Sequence, residues 1–279
     1  MTEELSFIDV IKQHIESGKM VLPVFNTSAM RIQQELIKEE IDIRVVEQII
    51  SSDQSLSTQV LKLANSAFYK GLSEILTIKA AIVRLGMQEL GRITLLVSSR
   101  NQFRSNDKRL NIIMKKLWQH SVGCAIGAQW LARRCKLNDI AGHAFFAGLF
   151  HDVGKLFVLL VLDQLKKEGR GVEFTEALLF EAMNSLHTEQ GYNLMQQWNM
   201  PEVYCIAARD HHAEEFDTKD MTLLLVRMSN MICKTLGIGT KSGGDQVPST
   251  TMEASLLNLS ELDLAELEIV LEDTSALSS

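Results

Sequence analysis

Only three prolines, Pro23, Pro201 and Pro248, interrupt 279 residues, and between them apolar side chains recur at spacings of three and four. A helix interior excludes proline, and the strict alternation of a half-buried strand is scarce, so the chain is expected to be all-α and multi-helical. A first amphipathic helix reads over Ser6 to Ser17, closed by Gly18, with a break at Leu22-Pro23. Further helices read over Met30 to Lys38, from Val45 to Ile50, through Val60 to Asn65 with Asp53 or Ser55 as cap, over Ile78 to Leu85 with Gly86 as stop, and over Leu90 to Val97. Ile112 to Cys135 reads as one long helix, whose Gly123, Ala125, Gly127 and Ala128 leave room for a close neighbour. Then follow a helix from Ile140 into Phe150, a second through Leu165, a flexible basic loop Lys166 to Gly171, and a helix that starts near His187 and ends at Trp198. Pro201 opens another that finishes at Asp210-His211-His212, and Met221 to Leu236 is the last of the body. Gly237 to Ser255 reads as a linker, and Ser260-Glu261-Leu262-Asp263 as the capping box of a tail helix.

The most polar interval, Ser98 to Asn111, marks a boundary near residue 106. It predicts an N-terminal helical half (1–106) packed on a second helical half (107–240), followed by a linker and tail helix (241–279). The net charge of −7 is concentrated in the tail: Asp245 to Ser279 carries eight acids and no Lys or Arg, which leaves +1 on the first 244 residues. A nearly neutral body without a basic stripe argues against a nucleic-acid partner. Cys124, Cys135, Cys205 and Cys233 form no Cys-x-x-Cys pair and sit in apolar contexts, as reduced buried thiols of a cytoplasmic protein do. The N-terminus is acidic where a signal peptide is basic, and no apolar run is expected to approach the roughly 18 residues of a membrane span. The chain therefore reads as cytoplasmic, with no membrane partner.

The feature that needs explaining is Phe150-His151-Asp152-Val153-Gly154-Lys155, a histidine and a carboxylate set inside an apolar run. Two such residues are costly to bury without partners. Neutral imidazole and carboxylate are also what a borderline divalent metal takes, and His120, His187, His211 and His212 supply more of the same donors. His14 and His143 read as ordinary core or surface histidines. Neighbours on a helix point about 100° apart. The adjacent doublets His151-Asp152 and His211-His212 therefore converge on one point only at helix ends, or serve two metals bridged by Asp152. A purely structural polar network is the alternative.

His120, His151-Asp152 with Gly154-Lys155, His187 and His211-His212 are similar in order and spacing to the motifs of the HD phosphohydrolase superfamily, closest to the branch that contains the HD-GYP phosphodiesterases. Leu22-Pro23, Ile49 with Asp53, the string Leu61-Lys62-Leu63-Ala64-Asn65-Ser66-Ala67-Phe68-Tyr69, Ala81-Ile82 and Leu85-Gly86 resemble the signature of HDOD domains, the HD-related output domains of bacterial signalling proteins. The resemblance covers about residues 20 to 275. It implies an HD-like second half in which His120, His151, Asp152, His187, His211 and His212 are metal ligands and Lys155 meets a phosphate. The implied cofactor is one or two divalent transition-metal ions: iron, manganese, nickel or zinc. Three departures stand out. Ser229-Asn230 occupies the place of the superfamily's last metal-binding aspartate, the paired histidines are followed by Ala213-Glu214-Glu215 rather than Gly-Tyr-Pro, and Asp53-Gln54 replaces Asp-Pro.

Two functions follow from the resemblance. The first is a regulatory signalling module that keeps a metal or ligand pocket. The second is a metal-dependent phosphohydrolase in which Asp152 and Lys155 are catalytic and the substrate is a nucleotide or another phosphorylated molecule. A nucleotide bound without hydrolysis, with Lys155 and the Lys166 to Arg170 loop on its phosphates, is a weaker third. In the tail, Leu262, Leu267, Ile269 and Val270 favour docking on the chain's own body or on a second copy as a homodimer, and the acids leave a basic protein partner open.

Overall fold

The computed structural model describes residues 6–17, 27–36, 38, 40–65, 73–170, 173–239 and 247–275. Among the described residues every regular element is a helix. They fall into two compact units: one is Pro23–Phe103, the other joins Met1–Leu22 to Arg104–Ser279.

The unit Pro23–Phe103 holds α2 (Thr27–Leu36), α3 (Ile43–Ser52), α4 (Gln54–Ala64), α5 (Ile78–Leu85) and α6 (Met87–Arg100). Each helix turns an apolar stripe inward, so that Ile32, Val46, Ile50, Val60, Leu90 and Ile93 form one buried core. Asp53, not Ser55, caps α4, its carboxylate accepting from the Leu56 amide at 2.9 Å. Gly86, at φ +79°, closes α5 and starts α6 in a backbone conformation that favours glycine. Asn65 ends α4 and fastens the returning chain: its Nδ2 donates to the carbonyls of Leu61 and Ile75, and its Oδ1 accepts from the Ile75 amide at 2.8 Å. That is structural work for Asn65. Gly18, Leu22-Pro23 and Ser66 to Tyr69 lie outside the described residues.

In the other unit, α1 (Phe7–Glu16) packs on α9 (Val153–Lys167) and α10 (Glu176–Gln197), so the first helix of the chain completes the unit that ends it. The two residues that bound the expected helix, Ser6 and Ser17, are its caps. The axis is α7 (Lys108–Arg134), flanked by α8 (Ala141–Phe150), α12 (Met221–Thr235) and α14 (Glu261–Ser275). The small residues of α7 permit this: a Cβ on Gly127 would stand 2.2 Å from Ser229 Oγ of α12. The shorter α11 (Glu202–Asp210) bridges α10 and α8.

His151-Asp152 keeps its expected place between two helices, at the junction of α8 and α9, where two side chains can face one point. Several sequence expectations are corrected here. His187 lies halfway along α10 rather than near a helix start, because Thr175 caps a helix of 22 residues. Lys166 and Lys167 belong to α9 and are bound to Asp107 and Asp163 at 2.6 Å, so they are not loop cations available to phosphate; Gly171 lies outside the described residues. The linker is partly structured, with a 3-10 turn at Pro248–Thr250 and α13 (Met252–Leu256), while 240–246 lie outside the described residues. Cys135 is half-buried; the other three thiols are buried. The tail helix α14 opens with the expected box, Ser260 and Asp263 exchanging hydrogen bonds. It lays Leu264, Leu267 and Leu271 inward and leaves Leu262 and Ile269 exposed.

The span Asn138–Lys167 is, against expectation, long and apolar enough to cross a membrane by length and composition. It is broken at His151-Asp152, and 94% of its most apolar window is buried inside the protein. Those two facts make it the apolar centre of the unit that carries the site.

Candidate metal centre

Asp152 is 2% exposed, and four imidazoles from four helical segments surround it. Its Oδ2 faces His120 Nε2 of α7 at 3.5 Å and His151 Nε2 at 3.4 Å. Its Oδ1 faces His211 Nε2, just past α11, at 3.3 Å and His187 Nε2 of α10 at 3.6 Å. Each ring is held from behind. The Nδ1 positions of His120, His151 and His187 meet the carbonyls of Ile238, Gly148 and Asn184 at 3.0, 2.7 and 3.0 Å, and His211 Nδ1 meets those of Ala207 and Ala208 at 3.0 and 3.1 Å. A carbonyl only accepts, so Nδ1 carries the proton and Nε2 presents a lone pair inward, the tautomer that metal-binding histidines adopt.

Four lone pairs thus converge on a carboxylate that has none but acceptors, an arrangement without internal hydrogen bonds. The Nε2 atoms of His151, His187 and His211, together with Asp152 Oδ1, are buried without a hydrogen-bond partner. Leaving such atoms unsatisfied costs about 1 to 3 kcal/mol each. The distances of 3.3 to 3.6 Å exceed the usual limit of about 3.2 Å for a nitrogen–oxygen hydrogen bond. They match the separation of two ligands on one tetrahedral ion, about 3.4 Å for metal–ligand bonds near 2.1 Å. Two donor sets result, Asp152 with His187, His211 and His212, and Asp152 with His120 and His151, with the carboxylate common to both. The residues fit one or two divalent ions.

Burial pushes the four buried imidazoles below the ordinary histidine range, that of His151 well below and that of His211 to about 3. Burial alone would raise the Asp152 carboxyl, but Lys155 and then His151 outweigh it and hold it well below the carboxylate range. Lys155 donates to Asp152 Oδ2 at 2.7 Å. Since the folded chain keeps the imidazoles neutral where the unfolded chain protonates them, stability is expected to be fully present above about pH 6.5 and to fall with pH toward 3. Denaturant titrations of metal-stripped protein at several pH values check this; a stability that rose on acidification would contradict it.

Two glycines set the geometry. Gly154 lets α9 meet α10 so closely that a Cβ there would stand 1.9 Å from the His187 carbonyl. Gly239, at φ +124°, runs against the His120 side chain, where a Cβ would stand 2.9 Å from the His120 Cβ and 3.2 Å from its ring. Arg227 of α12 steadies the turn after α11, donating to the Asp210 and Ala213 carbonyls and to Glu253. Nothing in the sequence around Arg227 or Gly239 signals these roles.

The centre opens into a cavity of about 550 Å³. Among the described residues that line it Asp152 is the sole carboxylate, against three cations, Lys155, Arg209 and Lys234. The last two, which sequence reasoning missed, come from α11 and α12. His212, the exposed member of the set, lines the same cavity, with Lys234 Nζ 3.4 Å from its Nε2. Asn230 is buried with its Oδ1 unpartnered. His143 turns elsewhere, to the Tyr204 hydroxyl at 2.9 Å, and His14 is buried on α1, outside the centre.

The profile of the HDOD domain matches residues 22–214, more than half of the chain. The chain belongs to the HDOD family. Solved structures agree in fold. An HDOD domain protein of unknown function from Geobacter sulfurreducens superposes with a TM-score of 0.76 at 23% identity, covering 96% of each chain. A candidate metal-dependent phosphohydrolase from Shewanella amazonensis SB2B gives 0.70 at 18% identity over 97% of each. A candidate signal transduction protein from Marinobacter aquaeolei VT8 gives 0.69 at 18%, over 99% of this chain and 65% of that one. In sequence, an uncharacterised protein of Treponema pallidum (strain Nichols) is 25% identical over 199 residues, 68% of this HDOD chain but 37% of that longer protein.

Proposed function

We propose that this chain is a cytosolic bacterial signalling module whose His/Asp centre binds divalent metal and whose cavity takes a phosphorylated ligand. The observation that carries the reading is the orphaned set of inward lone pairs around Asp152, which hydrogen bonding leaves unsatisfied and an ion would satisfy. His187, His211, His212 and Asp152 Oδ1 would hold one ion; His120, His151 and Asp152 Oδ2 would hold the other. Lys155 and Lys234 make the cavity a place for negative charge, whereas the Arg209 guanidinium is engaged by both oxygens of Asp210. Asn230 supports regulation over turnover, since an amide where a carboxylate is expected withholds one negative charge from the ions and weakens their hold.

The second reading, a phosphohydrolase acting on a phosphodiester or nucleotide, is favoured by the shared carboxylate and by Lys155 beside it. Bound ions would supply Lewis acidity toward a phosphoryl oxygen. The chain's own residues would orient the phosphate through Lys155 and Lys234. Both readings are tested on chelator-stripped protein reloaded with manganese. Manganese at a hundredfold excess over Kd is expected to stabilise the wild type by about 2.7 kcal/mol and Asp152→Asn far less. Hydrolysis of bis(p-nitrophenyl) phosphate is expected to be equal in the two proteins. Turnover confined to the wild type would replace the regulatory reading with the hydrolytic one, and a wild type indifferent to manganese would remove both.

A further inference from the structure

We propose that Cys124, Cys233 and His120 form a site for a thiophilic ion, of the zinc or cuprous class, that borders the His/Asp centre and competes with it for the one Nε2 lone pair of His120. Cys124 lies one turn beyond His120 on α7, and Cys233 comes from α12, which packs along that helix. All three residues are buried, and the two sulfurs and a ring nitrogen of His120 lie within 4.8 Å of one another. The Cys124 thiol donates to His120 Nε2 at 3.5 Å, which is also the separation of a nitrogen and a sulfur on one tetrahedral ion, about 3.6 Å for bonds near 2.1 and 2.3 Å. Neither thiol is in a disulfide.

The surroundings are shaped for the sulfurs. A Cβ on Gly123 would approach Cys233 Sγ to 3.0 Å, so the glycine provides the room that the sulfur occupies. The His120 ring is fixed from behind by Ile238 and Gly239 and needs no rotation to reach the thiols: its Nε2 is 3.5 Å from Cys124 Sγ and 3.5 Å from Asp152 Oδ2. Two sulfur donors select a softer ion than the carboxylate and imidazoles of the neighbouring centre do. Binding replaces two S–H protons by the metal and requires no oxidant.

The site is tested by adding cadmium ion to the metal-stripped, reduced full chain and recording the ultraviolet thiolate-to-cadmium absorbance. The wild type is expected to develop the band, Cys205→Ser to keep it, and the Cys124→Ser/Cys233→Ser protein to lose it while retaining its helical circular dichroism. Asp152→Asn is expected to keep the band, so failure of the His/Asp centre and failure of the thiol site are read separately. No band in the folded wild type would overturn the proposal without any variant having to fold. So would a band that survives in the folded double variant, or one that disappears in Asp152→Asn.

Discussion

Gly154→Ala is expected to lower the unfolding free energy by about 3 kcal/mol or more, enough to disrupt the unit that carries the centre. The methyl group would meet backbone, not a side chain that could step aside: the His187 carbonyl oxygen at 1.9 Å, its carbon at 2.7 Å and the Gly191 amide nitrogen at 2.8 Å. To admit it, α10 must move away from α9 and take His187 with it. Gly191→Ala is the internal contrast, because a Cβ there finds its nearest neighbour at an ordinary 3.4 Å, and mid-helix alanine is favoured over glycine by about 1 kcal/mol. Denaturant unfolding of the two variants gives the comparison. A Gly154→Ala protein as stable as Gly191→Ala would contradict the packing described.

Asp152→Ala in metal-free protein is expected to cost about 3 to 5 kcal/mol, since it leaves the Lys155 ammonium buried beside four imidazoles with its acceptor gone. Removing the stranded charge as well, in Asp152→Ala/Lys155→Met, is expected to recover a large part of that loss. The cycle is measured by the same unfolding experiment. A double variant less stable than Asp152→Ala alone would show that Lys155 finds other partners.

The sequence carried the helical class and most helix positions, because apolar period and local caps such as Ser6, Asp53 and Ser260 are short-range signals. It also brought together the histidines now found around Asp152, but only through their pattern as a set; no single one announced itself. What it misjudged depends on where a helix begins and ends and on long-range packing. His187 looked like a helix start because the polar His187-Thr188-Glu189 resembles a cap, whereas Thr175 had already capped α10 twelve residues earlier. Lys166 and Lys167 looked like a loop because the carboxylates that engage them, Asp107 and Asp163, arrive from another helix and from one turn back. Arg209, Lys234 and the pairing of Cys124 with Cys233 were invisible because they converge only when α7, α11 and α12 assemble.

The central claim is that the lone pairs around Asp152 are there for metal, and the direct test is elemental analysis of the chain purified without chelator or added metal, beside Asp152→Asn purified identically. About one or two transition-metal ions per wild-type chain are expected, with the variant largely stripped. A folded wild type free of metal, or a variant that keeps the wild-type content, would contradict the account.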